Sequence, residues 1–142
     1  MTLDPLAEQL RDELVSVAGG LGALLGPEEH LGLVTAAEGA AEHIADQLRS
    51  GDDDLVARVV VDLVSARVVP TEPEAAWWAT PLARVVAGSI GHPSAEAVTY
   101  SVAAAMLGVH RGTVAQLVHR GRLDRHPDGG ITVVSIRQRL AG

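Results

Sequence analysis

Residues 100–123 read YSVAAAMLGVHRGTVAQLVHRGRL, and within them cationic and amide side chains recur at intervals that a helix brings to one surface. If Val114, Leu117 and Val118 turn inward, Arg111, Gln116, His119 and Arg120 are left facing out. Arg and Gln can each form paired hydrogen bonds, Arg to a guanine edge and Gln to an adenine edge. Base reading is therefore the chemistry this set could perform. Arg111 and Thr113 stand where backbone N–H groups at a helix start also favour phosphate. His110 occupies the cap position, and Arg122 and Arg125 follow the helix.

The elements needed to position these residues are legible around them. Ser101 is a candidate N-cap for a short apolar helix from Val102 to Leu107. Gly108 can end it in the left-handed conformation that a tight turn needs, with Val109 expected as a buried plug. Arg111 to Arg120 form the second helix. Two short helices with a glycine turn, the second presenting Arg and Gln outward, make a helix-turn-helix. Gly121 stops the second helix, and Arg122-Leu123 begin an extended piece. PDGG (127–130) signals a hairpin turn and ITVV (131–134) the return strand, so this hairpin reads as a wing. Ser135 is expected to cap a final helix carrying Arg137 and Arg139.

This stretch resembles the winged helix-turn-helix of the MerR-like and excisionase families, whose pattern SVAAAMLGV, HRGTV and RGRL follow in order. The resemblance covers residues 99–141, about the last third of the chain. It implies binding to double-stranded DNA, with the second helix in the major groove. It assigns DNA contacts to His110, Arg111, Thr113, Gln116, His119, Arg120, Arg122 and Arg125. His110 departs from the family's usual Ser or Thr, and Gly112 and Ala115 take side chains off the reading helix. Nothing in residues 1–97 resembles the long coiled coil or effector domain of full-length MerR regulators.

Charge divides the chain at the same place. Residues 1–97 hold 16 acidic residues and 5 Arg, net −11, whereas residues 98–142 hold 2 acidic residues and 6 Arg, net +4. Such asymmetry points to a polyanion-binding end. The expected fold is mainly α, a bundle-like helical domain followed by a small winged helix-turn-helix. The domains are expected at 1–92, acidic and associating, and at 98–142, DNA-binding, with GHPSAEA (91–97) as the linker.

In the first part, Asp4-Pro5 starts a helix with Leu6, Leu10, Leu14, Val17, Leu21 and Leu24 on one face, and a bend is expected at Gly19-Gly20. A second helix, about Glu28 to Arg49, carries Val34, Ala37, Ala41, Ile44 and Leu48 as a narrow seam of small residues. That seam fits either packing inside the bundle or a homodimer interface. Asp52-Asp53-Asp54 suits the start of a third helix. Trp77 and Trp78 diverge by about 100° on a helix, so one is expected in the core and the other against a neighbouring domain or subunit.

The chain has no Cys, which excludes thiolate chemistry and Cys-based zinc sites. No nucleophile elbow, phosphate loop or dinucleotide fingerprint is present, so the expectation is a non-enzyme with no cofactor and no metal. No apolar run approaches about 20 residues, and the N-terminus lacks a basic-then-apolar leader. A soluble, cytoplasmic, nucleoid-associated protein without a membrane partner is expected. Two classes stay open: a DNA-binding regulator or excisionase-like architectural factor, paired through its N-terminal helices, and an adaptor that binds another protein without engaging DNA.

Overall fold

Asp4 opens the first helix as its order with Pro5 predicts: in the computed structural model, which describes residues 4–142, its carboxylate accepts from the N–H groups of Leu6 and Ala7 at 3.0 and 3.1 Å. Helix α1 (Pro5–Leu25) then runs on through Gly19-Gly20, where a bend was expected. The reason lies in its partner, α2 (Pro27–Leu48), which folds back along it after the single residue Gly26. The two helices come so close that a Cβ on Gly22 would lie 2.5 Å from the Cα of His30. Contact along their length offsets the roughly 1 kcal/mol that each helical Gly costs.

Ala37, Ala41, Ala45 and Leu48 are buried in this pairing, so the small-residue seam is core and not a dimer interface. An exposed ion pair, Arg49 with Asp4, joins the end of α2 to the start of α1. Helix α3 (Asp53–Ser65) is capped by the Asp52 carboxylate, which accepts from Leu55 N–H at 3.1 Å, and it buries Val60 and Leu63.

The chain divides into two compact units at Pro70/Thr71, earlier than the expected linker. In the second unit a short 3-10 helix (Ala75–Ala79) precedes α4 (Pro81–Ser89), β1 (Ala97–Val98), α5 (Tyr100–Leu107), α6 (Arg111–His119), β2 (Ile131–Thr132) and α7 (Val133–Ala141). The two strands pair antiparallel, Ala97 with Thr132 and Val98 with Ile131. Among the described residues the protein is thus mainly α, with seven α-helices and a small two-stranded sheet.

Trp78 is fully buried, as are Leu82, Val86, Met106, Val114, Ile131 and Ile136 of the same unit. Trp77 is half-buried and meets Trp78 edge-on, centroids 5.1 Å apart, so each indole has the other as neighbour.

Residues 91–97 lie inside this unit because their polar groups are tied into it. His92 Nδ1 accepts from the N–H groups of Ser94 and Ala95 at 3.1 and 2.9 Å. Ser94 donates its hydroxyl to the Thr71 carbonyl at 2.7 Å, and Val133 N–H donates to the Glu96 carbonyl at 2.8 Å. The His92 ring also lies 5.6 Å from Trp78.

Burial holds the His92 pKa below its ordinary 6.5, against a smaller opposing pull from Glu72. The unfolded chain therefore binds the proton more readily than the folded one. The stabilisation is complete above about pH 6.5 and is lost as pH falls below it. Thermal melts between pH 7.5 and 5.5 should show the midpoint falling in the wild type. The fall should be smaller in His92→Asn, whose amide oxygen replaces the Nδ1 acceptor without titrating; equal falls would remove His92 from the account.

Candidate nucleic-acid interface

Helix α5 starts two residues earlier than expected. Thr99, not Ser101, is its N-cap, accepting from Val102 N–H at 3.2 Å, since Ser101 already lies inside the helix. Gly108 ends α5 at φ 70°, ψ 34°, the left-handed turn that a side chain would strain. Val109 is not a plug: it is 37% exposed, whereas Met106 and Val114 on either side of it in the chain are fully buried. The turn is held from a distant part of the chain. Arg84 on α4 donates from Nη1 to the Met106 carbonyl at 3.1 Å and lies against Gly108.

Val114 and Leu117 anchor α6 by their burial. Gly112, Gln116 and His119, spaced by four and three, share its outer face, with the small Ala115 beside them. His110 makes no side-chain cap, so the first N–H groups of α6 are left open to an external acceptor. Of the expected contact residues, His110, Arg111, Gln116, His119, Arg120, Arg122 and Arg125 are exposed and Thr113 is half-buried. Arginine–carboxylate ion pairs among the described residues are confined to Arg49 with Asp4. Arg111, Arg120, Arg122 and Arg125 take part in none. An open depression beside Arg122 is lined also by Asp124, Ser135, Gln138 and Arg139.

The hairpin differs from its expected form in three ways. The return strand ends at Thr132, because Val133 already begins α7. Its continuous partner is β1, upstream of α5, while the descending arm touches it at the Arg125–Ile131 bridge and through Thr132 N–H to the Asp124 carbonyl at 2.9 Å. The cap of α7 is Thr132, whose Oγ1 accepts from Ser135 N–H at 3.3 Å. Ser135 is buried, and its hydroxyl oxygen accepts from Asp124 N–H at 3.1 Å. Sequence reasoning missed Arg84 and the inward role of Ser135. No local signal marks either, because their partners are 22 and 11 residues away.

The turn depends on Gly130, at φ 82°, where a Cβ would lie 2.6 Å from the Val98 carbonyl oxygen. His126 Nδ1 accepts from Asp128 N–H at 3.1 Å, so its ring is engaged in the turn and Asp128 stands at the tip. The second unit carries seven Arg against five acidic residues, and the first four against thirteen.

No helix among the described residues is long and apolar enough to cross a membrane, and no three His, Asp or Glu side chains converge as a metal-binding group. No family model, curated protein or solved structure matches the chain.

Two glycine replacements should separate scaffold from surface. Gly130→Ala should destabilise residues 71–142 by roughly 2 kcal/mol or more, through both strain and the carbonyl clash. Gly112→Ala faces open space within a helix and should stabilise by up to about 1 kcal/mol. Urea denaturation of both variants checks the pair.

Proposed function

We propose that the second unit is a winged helix-turn-helix of MerR-like or excisionase type that binds duplex DNA, with α6 in the major groove. The observation that carries the reading is the set of exposed arginines, 111, 120, 122 and 125, on α6 and the segment after it, none neutralised by a carboxylate. Four guanidinium groups along one helix and the segment that follows it, without counter-charges, are suited to a polyanion. Their placement around a helix with a flat, small-residue face is suited to a groove about 12 Å wide.

In this reading Gln116, central on the outer face, accepts and donates at an adenine edge. Gly112 and Ala115 let the helix backbone approach the bases. Arg111 and Thr113 at the start of α6 take a guanine edge or a phosphate, aided by the open N–H groups there. Arg120 and Arg122 take phosphates at its far end, and Arg125 carries the contact onto the hairpin. His119 on that face and His110 at the cap are polar neighbours of the backbone. Such a protein would act as a transcriptional regulator or as an architectural factor in recombination, within the nucleoid.

The formal charge of −7 favours a second reading, an adaptor whose α6 face meets a protein, because an acidic body repels DNA at long range. Salt separates the two. Binding of labelled duplex by the full chain should weaken steeply between 50 and 200 mM salt, in proportion to the phosphates neutralised.

Arg111→Ala should cost about 1–3 kcal/mol of DNA affinity. Unchanged binding by the folded variant would remove α6 from the groove. Replacing Arg122 and Arg125 together by Ala should lower the salt slope by roughly one to two as well as the affinity. Weaker binding with the slope intact would instead mean that the hairpin acts by folding alone.

A further inference from the structure

The apolar face of α1 is buried at Leu6 and Leu10 and left bare toward the end of the helix. Val17, Gly20, Leu21 and Leu24 recur at the spacing of one helical stripe, and all four are exposed, Leu24 at 84%. Leu25 and, across the turn, Leu31 at 68% continue the surface. Five of the nine large apolar side chains exposed among the described residues thus fall between residues 17 and 31. The inner face of the same helices is already occupied, by Gly22 against His30 and by the buried Ala37 and Ala41. The bare stripe continues, toward the end of α1, the face on which Leu6 and Leu10 are buried.

Charge decides what can cover it. From Leu14 to Ala37 the ionisable residues are Glu28, Glu29 and His30, clustered at the start of α2, and α1 carries none from Leu14 to its end. Yet the unit to which it belongs holds thirteen carboxylates against four Arg. A basic partner would find its complement on the acidic remainder and not on this stripe. Two copies of this acidic unit repel each other over most of their surface but not here, where no carboxylate of α1 need face its own image. Crossing two α1 helices antiparallel at Leu21 would set Val17 of each against Leu25 of the other, with Gly20 small enough to let the backbones approach.

Five such side chains expose on the order of 500 Å² per copy, and with the small residues between them a two-fold contact approaches the roughly 1,200 Å² at which specific dimers begin.

We infer that the end of the α1–α2 hairpin, through Val17, Leu21, Leu24, Leu25 and Leu31, is the surface on which a second copy of the chain docks. The inference deepens the DNA-binding reading, since two linked modules bind a paired site far more tightly than one. Its surface argument stands without DNA, and so does its test.

Sedimentation equilibrium of the full chain without DNA, from about 1 to 200 micromolar, should give a reversible dimer with a dissociation constant in the roughly micromolar range. Leu21→Glu with Leu24→Glu should leave circular dichroism unchanged, because both side chains are exposed, and should weaken the dimer at least tenfold. Val61→Glu, on an exposed apolar position of α3, should leave it intact. A monomer throughout that range, or a dimer indifferent to the Leu21 and Leu24 changes, overturns the inference. A monomer whose Leu24 instead mediates flotation with phosphatidylcholine vesicles would give the surface to lipid and overturn it equally. Should the dimer form while no duplex is bound at low salt, the DNA reading fails and the docking surface stands.

Discussion

Ile131 and Thr132 hydrogen-bond to chain on both sides, and the face that α6 offers to solvent is aimed by those bonds. On one side they pair with Ala97 and Val98, just before α5; on the other they meet Asp124 and Arg125, just after α6. Val133 N–H then reaches the Glu96 carbonyl, so both ends of the α5–α6 pair are clasped by one short segment. An isolated two-residue strand has little stability of its own. It holds because Ile131, Leu123, Val98 and Ile136 are buried around it, which excludes water from its hydrogen bonds. The clasp also explains why the unit extends back to Thr71. The strand before α5 must itself be fixed, and the His92 turn and the Trp78 core fix it.

The two units solve the packing problem with different residues. The chain has no Phe, so the first unit gains contact by close approach, placing Gly22 and the buried Ala37, Ala41 and Ala45 of α2 where larger side chains would hold the helices apart. Dispersion between close backbones replaces some of the area that bulkier side chains would bury. The second unit fills its centre with Trp78 and gathers Leu82, Met106, Val114 and Ile136 into the same core. A close-packed alanine seam leaves leucines over. That surplus is why α1 has an apolar face still open after its own hairpin is satisfied.

Net charge is a poor guide to what such a chain can touch. With a screening length of about 8 Å in physiological salt, an arginine without a carboxylate neighbour acts locally whatever the total charge. The distinction that matters is between Arg49, neutralised by Asp4, and the arginines of α6 and its hairpin, which have no such partner.

The sequence by itself determined the helices and their order, because caps, prolines and apolar spacing act within a few residues of one another. Asp4-Pro5, Asp52 and Gly108 do locally what their types require. The outward placement of Arg111, Gln116, His119 and Arg120 followed from the apolar Val114, Leu117 and Val118, by helical geometry. Tertiary structure decided the matters that depend on distant partners. The alanine seam of α2 could have served a bundle or a dimer, and the arrival of α1 along it settled which. Ser135 became a buried hydrogen-bonding residue instead of a cap because Asp124 came to lie over it. Residues 91–97, rich in turn formers, had the composition of a linker. They became part of a fold because Thr71, Trp78 and Val133 supply them with contacts that no local pattern encodes.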